Sequence, residues 1–309
     1  MSGPVIVNEV GPRDGLQMHS QALSVEQRLG LINSLRSCGI RNIEVGSFVS
    51  PKAIPQMADT AGLVRCLPVP ELMSYSALVP NLRGYEMALE AGVTSIAVVL
   101  SATETMNQKN IRMSLEQTTE VCSQLMARAA ADGIEGRAYI AVAFECPFEG
   151  KTPESVVQTL AHRLLDAGAN KLIVADTIGA ANPVVVRSLM QRLSTLDGPA
   201  RLSCHFHDTR GMALANVLAA LDCGVREFDS SIGGLGGCPF SPGASGNLAT
   251  EDLVLMLTAM GYDCGIVLDQ LVATVEHVQS LTGVTLGGRS YRWLQRKRDL
   301  RIASQGEVL

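Results

Sequence analysis

The feature that most constrains the fold is a regular alternation of short apolar, β-rich runs with longer segments of helical periodicity. Eight such runs occur, at residues 5–10, 42–46, 73–79, 95–100, 138–144, 172–176, 202–207 and 225–231. Alternating strands and helices are typical of an α/β protein with a parallel sheet, because the helices cover the faces of the sheet. Eight repeats favour closure into a (β/α)8 TIM barrel over an open doubly wound sheet with one or two strands fewer.

The length of the chain also favours a barrel. At 309 residues it exceeds the ~250–300 residues at which most single hydrophobic cores stop growing, and TIM barrels are the main exception. We predict a barrel domain over residues 1–285 and a short helical C-terminal extension over 286–309. The extension carries the basic residues Arg289, Arg292, Arg296, Lys297, Arg298 and Arg301. We interpret it as a surface helix or tail with a solvated charged face.

Capping signals mark the starts of three predicted helices. Ser24 and Gln27 have the spacing of a capping box in front of an apolar stripe. Thr152 and Asn182 each precede a proline, so each is predicted to cap a helix whose first residue is that proline.

Composition excludes several classes of protein. The net charge of −5 leaves no basic excess to neutralise a phosphate backbone, which argues against nucleic-acid binding. The longest apolar runs, such as 96–100, are too short to span a membrane. None of the eight cysteines forms a Cys-x-x-Cys pair, and residues 1–9 lack the pattern of a signal peptide. Scattered thiols without a leader indicate a cytoplasmic protein.

Polar residues collect where the predicted strands end. They lie at 11–17, 47–51, 176–177, 205–208 and 233–239. The carboxyl ends of barrel strands and the loops after them hold the active sites of TIM-barrel enzymes. The pattern therefore predicts an enzyme.

The sharpest local signal is the pair His205 and His207. Residues two apart on a strand point to the same face, and the alternate set of Cys204 and Phe206 is apolar. The histidines therefore point into the barrel mouth, where two neutral imidazoles suit metal ligation. The alternative is a pair of hydrogen-bonded core histidines.

Two further residues complete a candidate metal site. Asp14 follows the first strand and offers carboxylate oxygens, and Asn247 follows the eighth and offers an amide oxygen. Two histidines, an aspartate and an asparagine suit an open site for Mg²⁺ or Mn²⁺ better than a structural zinc site. The alternatives are a turn role for Asp14 beside Gly15 and a helix N-cap role for Asn247.

A glycine-rich segment, 233–246, follows the eighth strand. It does not match a dinucleotide-binding fingerprint, and a long loop of this kind is typical of a functional loop. It contains Cys238, whose thiol would ionise more readily beside backbone amides and a cation. The alternative for Cys238 is a small buried apolar residue.

Four stretches together resemble the 3-hydroxy-3-methylglutaryl-CoA lyase family, which belongs to the metal-dependent superfamily of isopropylmalate and homocitrate synthases. They are residues 9–17, 47–52 with 55–57, 175–179, and 234–239 with 243–252. The resemblance spans roughly residues 4–283, and the glycine-rich cysteine loop is specific to the lyase branch.

The resemblance implies a role for each matching residue. Asp14, His205, His207 and Asn247 would bind the divalent cation. Arg13 would stabilise the enolate oxygen, Glu44 would hold Arg13, Asp176 and His205 would exchange a proton with the substrate hydroxyl, and Cys238 would protonate the enolate. Lys109 and Asn110 would bind the acyl-CoA, and Gln17 would contact the substrate.

The chain departs from the family pattern near the acyl group. Arg210 replaces the usual aromatic residue, and Phe240-Ser241-Pro242 replaces Tyr-Ala-Gln. Arg210 would contact the acyl carboxylate or, alternatively, solvent or the CoA phosphates. Alternative substrates are therefore citramalyl-CoA, 3-methylmalyl-CoA or a longer branched 3-hydroxyglutaryl-CoA.

The function implied is cleavage of 3-hydroxy-3-methylglutaryl-CoA to acetyl-CoA and acetoacetate, as in leucine degradation. We expect a cytoplasmic homo-oligomer, either a dimer or a tetramer. Two competing functions are those of a condensing acyltransferase and of an inactive binding barrel.

Overall fold

A computed structural model describes residues 3–68, 73–237 and 246–306. The strands are β1 (Ile6–Glu9), β2 (Asn42–Ser47), β3 (Ser74–Leu78), β4 (Ser95–Ser101), β5 (Glu135–Ala141), β6 (Glu145–Cys146), β7 (Gly150–Lys151), β8 (Lys171–Asp176), β9 (Leu202–Phe206) and β10 (Glu227–Ser230). Eight of these strands are parallel and close a barrel in the order β1-β10-β9-β8-β5-β4-β3-β2, while β6 and β7 form a small hairpin. The predicted (β/α)8 barrel is confirmed.

Helices connect the strands and cover the barrel. They are α1 (Val25–Ser37), α2 (Thr60–Cys66), α3 (Leu82–Ala91), α4 (Glu104–Ile111), α5 (Leu115–Ala131), α6 (Glu154–Asp166), α7 (Pro183–Asp197), α8 (Ala213–Asp222), α9 (Thr250–Ala259), α10 (Leu268–Thr282) and α11 (Tyr291–Gly306). None of the helices in the described residues is long and apolar enough to cross a membrane.

Two of the three capping predictions are confirmed. The hydroxyl of Ser24 accepts the N–H of Gln27, and the side chain of Gln27 accepts the N–H of Ser24. Asn182 accepts the N–H groups of Val184 and Val185. The prediction for Thr152 is wrong, because its hydroxyl donates to the carbonyl of Val142 instead.

The fifth predicted strand, 138–144, begins and ends three residues too late. The chain leaves the sheet at Val142, whose φ of 49° lies in the left-handed region. Its N–H donates to the hydroxyl of Thr177, 2.8 Å away. Residues 142–144 nevertheless stay buried. The apolar sequence pattern therefore continues past the end of the strand.

The amino-terminal end of the barrel is closed by a buried group of charges. Glu227 accepts Arg137 Nη2 at 2.7 Å and Asn8 Nδ2 at 2.9 Å, and Lys171 Nζ lies 2.7 Å from its other oxygen. Above this layer, Tyr139 and Ile173 point into the barrel interior. The charged groups on the floor of the barrel are therefore paired.

The predicted C-terminal helix is present as α11. It packs against α10, with Tyr291 and Leu294 buried. Arg298 donates to both carboxylate oxygens of Glu276 on α10, so this basic residue is not part of a purely solvated face. The preceding backbone is also held, because the N–H groups of Arg289 and Ser290 donate to Asp252.

Candidate active site

The structure brings Asp14, His205 and His207 together at the barrel mouth. Their ligand atoms all lie within 4.8 Å of one another. The two histidines point to the same side, as the alternation along β9 predicts, and their Nε2 atoms are 3.2 Å apart. Both rings are buried, while Asp14 is partly exposed toward the cavity.

Asn247 completes this cluster. Its Nδ2 donates to Asp14 Oδ2 at 2.8 Å and to the carbonyl of Leu235, and its backbone pairs with His207. Its Oδ1 is buried and has no hydrogen-bond partner in the part of the chain that the structure describes, so this oxygen is available to a ligand. The alternative of a helix N-cap is wrong, because α9 begins at Thr250 with Ala249 as its cap.

Close approach of the backbone around Asn247 depends on glycine. A Cβ atom at Gly236 would lie 2.7 Å from Asn247 Nδ2, and the φ of Gly236 is 122°. A Cβ atom at Gly246 would lie 2.3 Å from the carbonyl oxygen of Gly234. Part of the glycine-rich pattern therefore serves to pack the chain around Asn247.

The protonation states of His207 and Asp14 favour a cation. Burial, and then the neighbouring His205, lower the pKa of His207 to about 4, so its imidazole is neutral near pH 7. Burial opposes ionisation of Asp14, but Arg13 and the two histidines outweigh burial and lower the pKa of Asp14. A carboxylate facing imidazole nitrogens and a free amide oxygen is a donor set that fits a divalent cation.

Arg13 lies beside the cluster on a turn of π-helix at Gly11–Gly15. Its Nε donates to Glu44 Oε2 at 2.7 Å, and its Nη1 donates to Asp14 Oδ1 at 2.9 Å. Burial alone would lower the pKa of Arg13, but Glu44 and Asp14 raise it. The guanidinium is therefore a fixed positive charge on the cavity wall, and Glu44 orients it.

Asp176 is placed differently from the expectation. Its neighbours Ala175 and Thr177 line the cavity, so alternation turns Asp176 to the other side of β8. Its two oxygens accept the N–H groups of Ala180 and Ala181, at 2.8 and 3.0 Å. Burial raises the pKa of Asp176 to about 6. The structure thus shows Asp176 holding the turn after β8, and does not bring it into the cavity beside His205.

The cavity has a volume of about 510 Å³ and extends sideways from the cluster. Pairing between β3 and β4 stops at Leu78 and Ala97, while β4 continues to Ser101. The cavity reaches past this open edge toward Val121 and Leu125 on α5. A polar site at the mouth is thus joined to an apolar passage.

The expected substrate-binding residues lie around the opening. Gln17 and Asn110 line the cavity. Lys109 is exposed, and its Nζ lies 4.9 Å from the centre of the Phe148 ring. Arg210 is half exposed, and its Nη2 lies 3.5 Å from Glu145 Oε1 on the β6–β7 hairpin. Arg210 is not among the residues that line the described part of the cavity.

Cys238 lies outside the described residues, as do Phe240, Ser241 and Pro242. Gly237, the residue before this gap, lines the cavity. The catalytic role implied for Cys238 stays a prediction.

Sequence reasoning missed Tyr139 and Asp229. Tyr139 lines the cavity, and its hydroxyl donates to Asp229 Oδ2 at 2.8 Å. Asp229 Oδ2 also lies 3.1 Å from His205 Nδ1. Alternation along β10, where Phe228 faces the apolar core, was the available signal for Asp229. Its pairing with His205 required the order of the strands.

Comparisons with known proteins agree with this geometry. The chain matches the HMGL-like family over residues 4–278. It is 43% identical over 296 residues to the hydroxymethylglutaryl-CoA lyase of Pseudomonas mevalonii, covering 93% of this chain and 98% of that protein. The crystal structure of hydroxymethylglutaryl-CoA lyase from Pseudomonas aeruginosa has a TM-score of 0.92 at 37% identity, and covers 95% of this chain and 98% of that chain. An HMG-CoA lyase from Acinetobacter baumannii, in complex with coenzyme A and 3-methylmalate, has a TM-score of 0.89 at 39% identity over 94% of each chain.

Proposed function

Because the chain belongs to the HMGL-like family and is a carbon–carbon lyase of the hydroxymethylglutaryl-CoA lyase type, we propose that it cleaves the C2–C3 bond of 3-hydroxy-3-methylglutaryl-CoA. The products are acetyl-CoA and acetoacetate. The observation that carries this proposal is the cluster of Asp14, His205 and His207 beside the Arg13 guanidinium, at the inner end of one cavity.

We propose Mg²⁺ or Mn²⁺ as the resident cation, held by Asp14, His205, His207 and Asn247. Two imidazole nitrogens, a carboxylate and Asn247 Oδ1, which has no partner among the described residues, support this assignment. When bound, such a cation polarises oxygen atoms of the substrate and favours loss of the hydroxyl proton. The protein supplies the fixed donors around it.

The cleavage requires a group that accepts the hydroxyl proton, a group that stabilises the enolate and a proton donor for C2. The C3 hydroxyl loses its proton and becomes the ketone, while the electron pair of the C2–C3 bond moves to C2 and the thioester oxygen. The Arg13 guanidinium, oriented by Glu44 at 2.7 Å, is placed to stabilise the oxygen of this enolate. C2 then gains a proton, and we propose that the thiol of Cys238 delivers it.

His205 and Asp176, which are both expected to exchange a proton with the hydroxyl, differ in their position relative to the cavity. His205 lines the cavity, so we propose that it exchanges the proton directly. Asp176 accepts two backbone N–H groups of the turn after β8. We propose that Asp176 acts on the site through this turn, which carries Thr177 at the cavity wall.

We propose that the thioester arm runs from the cluster along the apolar passage to the rim. Asn110 lies on this rim and Lys109 adjoins it on α4, so they would bind the CoA, while Gln17 would contact the acyl part. The related structure that contains coenzyme A and 3-methylmalate supports an acyl-CoA substrate. A negatively charged CoA would also find the cationic Lys109 near its phosphates.

The test is release of acetyl-CoA from 3-hydroxy-3-methylglutaryl-CoA by the purified protein. Chelation should abolish turnover, and Mg²⁺ or Mn²⁺ should restore it. His207→Ala should weaken metal binding, because it removes one of about four protein ligands. The matched control is His162→Ala, since His162 is exposed on α6 and pairs only with Asp166 among the described residues. Full activity in verified metal-free protein would refute the metal proposal.

The same assay decides the acyl group. Citramalyl-CoA, 3-methylmalyl-CoA and a longer branched 3-hydroxyglutaryl-CoA serve as competing substrates. A higher kcat/KM for any of them would replace 3-hydroxy-3-methylglutaryl-CoA as the assigned substrate.

We further propose a cytoplasmic homo-oligomer, a dimer or a tetramer, that acts in leucine degradation. Trp293, Leu300 and Ile302 leave apolar surface exposed on α11, which supports contact between copies. Light scattering of the purified chain would measure the oligomeric state. A monomer at micromolar concentration would contradict the proposed homo-oligomer.

A further inference from the structure

Asp229 is a fully buried carboxylate to which the proposed reaction assigns no role. It lies on β10 with 1% of its surface exposed. A buried carboxylate is costly unless its oxygens accept hydrogen bonds, so the donors around it indicate what it does.

Three side chains from three different strands surround Asp229. Its Oδ1 accepts Asn8 Nδ2 at 3.1 Å. Its Oδ2 accepts the Tyr139 hydroxyl at 2.8 Å and lies 3.1 Å from His205 Nδ1. Both oxygens are thus occupied, and one of them contacts the ring that faces the metal cluster.

Sheet register places these groups side by side. Asn8 on β1 is directly opposite Asp229 on β10, and Asp229 is directly opposite His205 on β9. Adjacent strands in register bring same-face side chains into contact. The Asp229–His205 contact is therefore built into the barrel and does not depend on a loop.

The contact determines where the His205 ring carries its proton. An ionised carboxylate only accepts hydrogen bonds, so it assigns the proton to Nδ1. Nε2 then has a lone pair, and it points toward His207 Nε2, 3.2 Å away. That lone pair is what His205 needs either to bind a cation or to accept a proton from the substrate.

We propose that Asp229 is a positioning residue, which fixes the ring orientation and the tautomer of His205 so that Nε2 faces the metal cluster. Outer carboxylates that accept the second N–H of a metal-binding histidine typically change metal affinity by ~10–100-fold. This inference rests on the proposed metal site. It adds a residue that does not touch the cation or the substrate.

The experiment measures Mn²⁺ affinity by electron paramagnetic resonance in three full-length proteins. Asp229→Asn, which keeps the size of the side chain, should bind Mn²⁺ about 10–100-fold more weakly than the wild type. Glu227→Gln is the matched control, because Glu227 is a buried carboxylate on the same strand and face but pairs with Arg137, Lys171 and Asn8, none of which belongs to the metal cluster. It should keep wild-type affinity.

The outcomes separate this inference from the proposed function. If the wild type binds Mn²⁺ and Asp229→Asn binds it equally well, the role of Asp229 is refuted while the metal site stands. Equal weakening in Glu227→Gln would also refute it, because the loss would then be a general effect of buried charge. Absence of Mn²⁺ binding in the wild type would refute both proposals.

A second measurement needs no variant and so does not depend on the folding of one. Nitrogen-15 chemical shifts of the five histidine rings in the Mg²⁺-loaded wild type report which ring nitrogen carries the proton. We expect His205 protonated at Nδ1 and unprotonated at Nε2. Protonation of His205 at Nε2 alone would overturn the proposal.

Discussion

Both ends of the barrel contain buried charged residues, but the two ends differ in how these residues are paired. At the amino-terminal end, Glu227 is paired on both oxygens by Arg137, Lys171 and Asn8. At the carboxyl end, three buried atoms lack a hydrogen-bond partner among the described residues: Glu44 Oε1, His207 Nδ1 and Asn247 Oδ1. A buried polar atom without a partner costs free energy. The hydroxyls of Ser95 on β4 and Ser203 on β9 also lack one, so the difference concerns the charged groups. Those of the floor are paired, which favours stability, whereas the mouth keeps carboxylate, imidazole and amide atoms available to a ligand.

The largest effect on stability is expected at the floor. Arg137→Gln should lower the free energy of unfolding by about 3–5 kcal/mol, because Glu227 would lose one of its two cationic partners in a buried site. The kcat of the folded fraction should stay near the wild-type value. Urea unfolding and an acetyl-CoA release assay measure the two quantities. A loss of kcat without a loss of stability would contradict the division between floor and mouth.

The converse change is Arg13→Gln at the mouth. Removing the guanidinium should lower kcat by about 10²–10³-fold, the usual scale for one oxyanion-stabilising group. Stability should change less than in Arg137→Gln, because burial raises the pKa of Glu44, so Glu44 can be protonated once its partner is removed. Asp14 also keeps its hydrogen bond from Asn247. Comparing kcat and the urea midpoint in the two variants tests the comparison directly. Near-normal turnover in Arg13→Gln would remove Arg13 from the proposed mechanism.

Much of this arrangement was predictable from local pattern. Alternation in 202–207 places both histidines on one face, and the strand-end positions of Asp14 and Asn247 bring them to the same mouth. The same alternation, applied to Ala175 and Thr177, would have turned Asp176 away from the cavity. The catalytic role expected for Asp176 came from the family resemblance and not from this alternation.

Other features depend on contacts that a single sequence does not contain. Asp229 contacts His205 through strand register across the closed barrel. The end of β5 depends on Thr152 and Thr177, which bind the backbone of Val142 from distant loops. Tertiary hydrogen bonds of this kind override local propensity.

Glu251, a buried residue in the first turn of α9, differs from the charged residues of both the floor and the mouth. Among the described residues, its two oxygens accept only backbone donors, from Gly233 and Gly288. Burial, the largest influence, raises the pKa of Glu251 to about 7 from 4.5. Between those pH values the folded protein keeps a proton that the unfolded chain releases, so stability should fall as pH rises.

Glu251→Gln should therefore reduce the pH dependence of stability. The expected difference between wild type and variant accumulates to on the order of 2–3 kcal/mol between pH 4.5 and 7. Urea unfolding at half-unit pH steps measures it. Glu9, whose pKa burial also raises to about 7, stays in both proteins, so only its electrostatic interaction with Glu251 enters the difference. Parallel curves for the two proteins would show that Glu251 does not carry this proton.

The smallest effect is expected for Arg210, at the outer edge of the mouth. Its nearest charge, Glu145, is 3.5 Å away, and about half of the Arg210 side chain is exposed. Exposed pairs of this kind contribute about 0.2–1 kcal/mol. Arg210 is also absent from the residues that line the described part of the cavity.

Arg210→Tyr, which restores the aromatic class of residue typical of the family, should therefore change kcat/KM by less than about threefold. It should affect 3-hydroxy-3-methylglutaryl-CoA and citramalyl-CoA alike. A change of about tenfold in the ratio of the two kcat/KM values, or about 1.4 kcal/mol of discrimination, would instead place Arg210 against the acyl group. The boundary of the ligand-binding mouth would then extend out to the β6–β7 hairpin.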